Sequence, residues 1–103
     1  MFWNVESQTS YQPITTFWQD FTIAEQYGVS AVQDTYRRAF DEWKSDYKFL
    51  TELVMVLNHK LWLHHPRNAA LAECYDALWR EADAYAVKNL TGDALSYFLR
   101  VTD

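Results

Sequence analysis

Three histidines and one cysteine are the side chains here best suited to hold a metal or to work as base and nucleophile. They are His59, His64, His65 and Cys74. A metal site on a helix needs ligands three or four residues apart on one face. Val56 stands three before His59 and Leu63 four after it, so that spacing assembles nothing. No Glu-x-x-His of the di-iron bundles occurs. His64 and His65 fall where a helix should end, and imidazoles there meet unpaired carbonyls and the negative end of the helix dipole. Cys74 lies in phase with an apolar helix face, where a thiol behaves as a small hydrophobe, and nothing marks it as activated. The sequence therefore assigns no catalytic residue, no metal ligand, no cofactor and no small-molecule ligand. The reading is non-enzymatic, with an enzyme of unrecognised site as a distant alternative.

Asp41, Glu42, Asp46 and Glu52 alternate with Arg37, Arg38, Lys44 and Lys48. Such interleaving reads as a solvated, ion-paired helix face. The same basic residues define the alternative function, a DNA-associated regulator using the mixed-charge helix over residues 37–48. Arg37, Lys44 and Lys48 project to one side, but Asp41 interrupts them. Fourteen acidic residues against nine basic ones leave the chain at −5, which disfavours phosphate contacts as a source of affinity.

Five tryptophans are many for 103 residues. Trp43 and Trp79 are in phase with core faces. Trp18, Met55 and Trp62 are not: they stand at the rims of their apolar stripes. Off-phase aromatics either cover seams between helices or meet a partner, where tryptophan is enriched. Phe2 and Trp3, near the start, are the intramolecular candidates to cover Met55 and Trp62. The candidate partner-binding residues are thus Trp18, Met55, Trp62, Phe2 and Trp3.

The elements that must carry these residues are helices. Two Gly and two Pro punctuate the chain, at Pro13, Gly28, Pro66 and Gly92, and no period-2 alternation or hairpin dipeptide appears. Residues 1–14 read as an N-terminal arm, and residues 15–103 as one helical domain. The first helix is expected from about Thr15 to Tyr27. Thr16 and Gln19 stand at capping-box spacing, Ile14, Phe17, Phe21 and Ala24 share a face, and Gly28 suits a left-handed terminal cap. Ser30 and Gln33 repeat the capping spacing.

From Val32 to Leu61 the apolar positions keep to an arc about 100° wide, at 100° per residue. That unbroken phase favours one continuous helix about 50 Å long. The alternative is a kink near Ser45-Asp46, two residues suited to cap, giving two packed helices. Phe49, Leu53, Val56 and Leu63 add a second strip, so residues 49–63 should be the most buried helix, while residues 31–45 should keep one face in water. A further helix is expected over about Asn68 to Lys88, with Leu71, Cys74, Tyr75, Leu78, Trp79, Ala82, Tyr85 and Ala86 inward and Asp76–Arg80 paired outside. Thr91 should cap a short last helix whose Leu95, Phe98 and Leu99 turn inward. The expected fold is all-α, a small bundle of three to four main helices plus a short C-terminal one.

Half the residues are hydrophobic, which supplies one core and argues against disorder. A lone cysteine suits a reducing compartment. The opening Met1-Phe2-Trp3-Asn4-Val5-Glu6 has no basic region followed by an apolar stretch, and the longest apolar run, Leu53 to Leu57, falls far short of the roughly 20 residues of a membrane span. The expectation is a cytoplasmic protein without a membrane partner.

The strings Phe17-Trp18-Gln19-Asp20-Phe21, Asp34-Thr35-Tyr36-Arg37-Arg38-Ala39-Phe40, Leu53-Val54-Met55-Val56-Leu57-Asn58-His59-Lys60 and Asn89-Leu90-Thr91-Gly92-Asp93 resemble those of small uncharacterised proteins of bacterial conjugative or other mobile elements. The resemblance spans most of the chain. It implies an accessory protein that binds another protein, and it transfers no functional residue. Together these readings predict a small accessory or interaction protein that meets a protein partner or a second copy of itself.

Overall fold

Thr16 starts the helical order. In the computed structural model, which describes residues 14–62 and 69–102, its hydroxyl accepts the Gln19 backbone N–H at 3.1 Å. The Gln19 side chain returns the bond to the Thr16 N–H at 2.8 Å. The capping box is thereby closed, and helix α1 runs Phe17–Tyr27. Gly28 ends it, donating its N–H to the Ala24 carbonyl at 2.9 Å. Its φ of +94° is open to glycine at little cost, but with ψ 159° it is extended, not the left-handed helical cap expected. Helix α2, Val29–Trp43, begins on the next residue, so Ser30 lies inside its first turn and no side chain caps it.

The stretch read as one continuous helix is two. Lys44 and Ser45 turn the chain, and Asp46 adopts an extended conformation with φ −92° and ψ 107°. The Asp46 carboxylate accepts the N–H groups of Lys48 at 2.9 Å and Phe49 at 3.3 Å, which starts helix α3, Tyr47–Leu61. Trp43 packs on Phe49 across the corner, ring centroids 5.9 Å apart. The joint is three residues, close to one helical turn, so the apolar phase survives it. Periodicity alone could not reveal the bend. The capping aspartate could, and it favoured the alternative reading.

Helix α4 runs Ala69–Asn89 and α5 Gly92–Thr102; the described residues contain no strand. The architecture is all-α. Helix α3 packs most extensively on α4 and also on α5, while α1 pairs with α2 and α2 reaches α4. Helix α3 is the most buried element: Phe49, Leu50, Leu53, Val54, Val56 and Leu57 are all closed to solvent. On α4, Leu71, Cys74, Tyr75, Leu78, Ala82 and Ala86 are buried and Trp79 and Tyr85 half-buried, as their phase requires. Arg80 meets Asp76 at 3.0 Å on the outside. In α5, Phe98 is fully buried, but Leu99 is 48% exposed and does not turn inward. It lies 100° around the helix from Phe98, and α5 is covered on one side only. Ile14, last residue of the expected arm, packs against the core. The rest of the arm with Phe2 and Trp3, and Leu63, His64, His65, Pro66 and Asn68, lie outside the described residues.

Leu57 is wholly inaccessible in the middle of this core. Leu57→Ala is expected to lower the unfolding free energy by about 2–5 kcal/mol in urea titration. A loss below about 1 kcal/mol would contradict the central placement of α3.

Candidate functional site

Two features of the bundle could carry function: a polar cluster inside it and an apolar face outside it. The cluster centres on Asp20 of α1, 1% exposed, and Lys60 of α3, 4% exposed. The Lys60 ammonium lies 3.0 Å from Asp20 Oδ2. It also donates to the Thr15 carbonyl and the Tyr36 hydroxyl, so its three protons have three acceptors. Asp20 Oδ2 further accepts the hydroxyls of Tyr36 at 2.8 Å and Tyr75 at 2.7 Å, and Oδ1 accepts that of Thr15. The ammonium also sits over both phenol rings, 5.0 Å from the Tyr36 centroid and 5.8 Å from that of Tyr75. Among the described residues no buried side-chain nitrogen or oxygen lacks a partner.

A lysine, two tyrosines and a carboxylate within hydrogen-bond reach form, in a cleft, a general acid–base set. Here the set is closed. Tyr36 and Tyr75 are each 1% exposed. A cavity of about 10 Å³ touches Tyr36, Leu57 and Leu78, room for one water at most. Burial, reinforced by Asp20, pushes both phenols well above their ordinary range. Burial also lowers Lys60, with Asp20 opposing. These directions describe groups withdrawn from solvent and held by one another's hydrogen bonds. The thiol of Cys74, buried on α4, is pushed up to about 11 by burial and then by Asp20, away from the nucleophilic thiolate. Among the described residues no three or more histidine, cysteine and carboxylate side chains converge as metal ligands would.

The cluster escaped the sequence reading, though a signal existed. Asp20 and Lys60 each fall within or beside an apolar stripe, on different helices and with opposite sign. Tyr36 and Tyr75, both in phase with core faces, each bring a hydroxyl that burial obliges to find a partner.

Of the predicted surface residues, Trp18, Met55 and Trp62 are exposed, and Phe2 and Trp3 lie outside the described residues. Trp62, at the C-terminal end of α3, is 80% exposed, Trp18 of α1 64% and Met55 of α3 38%. Met55 and Trp62 share one face of α3, two turns apart. Trp18 stands on another helix, its ring edge-on to Phe17 at 5.2 Å and Phe21 at 5.8 Å. The basic residues of 37–48 are partly engaged: Arg37 pairs with Glu81 of α4 at 2.9 Å, and Lys44 with Asp41 at 3.7 Å. No helix among the described residues is long and apolar enough to cross a membrane.

Two predictions follow from the cluster. Asp20→Asn leaves the Lys60 ammonium buried without its counter-charge and should destabilise by about 3–5 kcal/mol. Loss of less than about 1 kcal/mol would show that the pair is not formed. The second concerns alkali. The unfolded chain ionises its phenols near pH 10, whereas the folded chain keeps Tyr36 and Tyr75 protonated. Stability present below that pH is therefore lost as pH rises. Cys74, raised from 9.0 to about 11, begins the loss earlier. Lys60, lowered by burial, partly offsets it until free lysine discharges near pH 10.4. Above about pH 11 two phenols remain, and stability should fall by roughly 3 kcal/mol per pH unit, the linkage of two protons. Phenolate absorbance beside urea unfolding tests this. Two of the seven tyrosines should ionise only on unfolding, and titration of all seven in the folded chain would refute it.

The chain matches no protein-family model, no curated protein and no solved structure.

Proposed function

We propose that this chain is a small non-enzymatic interaction protein that offers Trp62, Met55 and Trp18 to a protein partner. The observation that carries the reading is the exposure of Trp62, 80%, on the helix that is otherwise the most buried. A large aromatic left in water beside a well-filled core is the composition of an interface anchor. The closed state of the Lys60 cluster and the raised Cys74 thiol support a non-enzymatic role that needs no cofactor, metal or small-molecule ligand. The acidity of the chain and the Arg37–Glu81 pair favour a protein partner over DNA. The likeness to small proteins of bacterial mobile elements supports an accessory role, carried out in the cytoplasm.

Trp62 is tested by placing a photo-cross-linking phenylalanine analogue there and irradiating cells that express the chain. Adducts to one protein species are expected. Trp62→Glu should weaken that association tenfold or more, about 1.4 kcal/mol, with the melting temperature unchanged. Val87→Glu, at a position 52% exposed on α4, serves as control and should leave binding intact. Absence of any protein adduct, or equal loss from the control, would overturn the proposal.

A further inference from the structure

The outer face of α3 carries more order than one exposed tryptophan. Lys48, Glu52, Met55, His59 and Trp62 succeed one another at spacings of four, three, four and three residues. At 100° per residue they fall within an arc about 80° wide. Lys48, Met55, His59 and Trp62 are exposed, and Glu52 is half-buried. Thr51 and Lys60, beyond the two edges of the arc, are buried. Val56, about 40° beyond one edge, is also buried, whereas Asn58, about 40° beyond the other, is exposed; the strip is about 21 Å long.

Its sequence is complementary to its own reverse. About Met55, Lys48 and Trp62 lie at equal and opposite heights, each about 10.5 Å along the axis. Glu52 and His59 lie on opposite sides, about 4.5 and 6 Å away. We infer that the partner of this face is a second copy of the chain, whose α3 crosses it antiparallel about a two-fold axis at Met55. In that arrangement Met55 meets Met55. Glu52 accepts a hydrogen bond from the imidazole of the other copy's His59, and the Lys48 ammonium lies over the other copy's Trp62 ring. Each contact occurs twice, as an isologous interface requires. The parallel pairing in register sets Lys48 on Lys48 and Glu52 on Glu52, which like charges oppose. Burial raises the Glu52 carboxyl, so a donor facing it is worth more there than on an open surface. One strip of five side chains is below the size of a permanent interface, so the dimer dissociates on dilution.

This inference rests on the interaction reading above and names the partner. Sedimentation equilibrium of the full chain over a concentration series provides the test. The wild type should pass from monomer to dimer, and Met55→Glu, which sets two carboxylates against each other on the axis, should remain monomeric. Glu52→Lys and His59→Glu should each raise Kd about tenfold, one charge-pair's worth, and the double variant E52K/H59E should recover most of it. A wild type that stays monomeric throughout, or a double variant no better than either single, overturns the two-fold. If the wild type is monomeric while position 62 still cross-links to another protein, the second copy fails and the interaction reading stands. If neither association occurs, both fail.

Discussion

The Lys60–Asp20 pair is the constraint on which the arrangement of the first four helices depends. An ammonium and a carboxylate withdrawn from water lose several kcal/mol of solvation each, and attraction alone recovers this only when every remaining proton and lone pair is occupied. Here that condition is met from four directions. Thr15 lies just before the cap of α1 and Asp20 in its first turn, Tyr36 belongs to α2, Lys60 to the last full turn of α3 and Tyr75 to α4. Apart from Thr15, five residues before Asp20, the partners of the Asp20 carboxylate are 16 to 55 residues away in sequence. A shift of one residue in any of these helices would carry its polar group 100° around the axis and leave a buried charge or hydroxyl unpaired. Apolar packing tolerates such slips more readily, because one methyl group can replace another. The cluster contributes less to net stability than to the choice of one packing over its neighbours.

That choice also sets what the surface shows. Trp18 precedes Asp20 by two residues, and Trp62 follows Lys60 by two. Two residues on a helix are 200° of rotation, so an inward charge sends the neighbouring tryptophan outward. The same step operates on both helices, and the two charges that meet inside are the reason that two large indoles stand outside. Exposure of Trp18 and Trp62 is thus a consequence of the core and not a defect in it. A bundle that merely maximised apolar burial would rotate α3 to cover Trp62, at the expense of bringing Lys60 to solvent. The observed rotation is the one that satisfies the polar atoms.

Helix phase, caps and punctuation made much of this legible. Thr16 with Gln19 located the start of α1 because a capping box is a local device, closed within four residues. Two adjacent apolar strips identified residues 49–63 as central, and Leu53 and Leu57 are inside as those strips require. Phase misled at Asp46, since a joint of nearly one turn conserves it, and at Ser30, where Gly28 already had the role of ending one helix and starting the next. Leu99 shows the limit of assigning burial by helix face when only one side of the helix is covered. The polar cluster was invisible for a different reason. Each member alone looks ordinary, a rim aspartate, a terminal lysine, two core tyrosines, and only their convergence across four helices gives them meaning.

Helix α3 unites these effects. Its inner arcs hold Phe49, Leu50, Leu53, Val54, Val56 and Leu57 against α4 and α5, and Lys60 carries the polar anchor in the same turn-to-turn register. With those positions fixed inward, one strip is left over, and its composition is neither the charged, hydrated surface of α2 nor another core stripe. Lysine and glutamate stand at one end, histidine and tryptophan at the other, with methionine between them. Methionine is adaptable and unbranched, suited to an apolar contact that forms and dissolves. Tryptophan at the helix terminus adds area without many rotamers to immobilise. A helix that spent all its faces on the core would have no such strip. The buried salt bridge at Lys60 locks the rotation of α3, and the locked rotation keeps that strip in water.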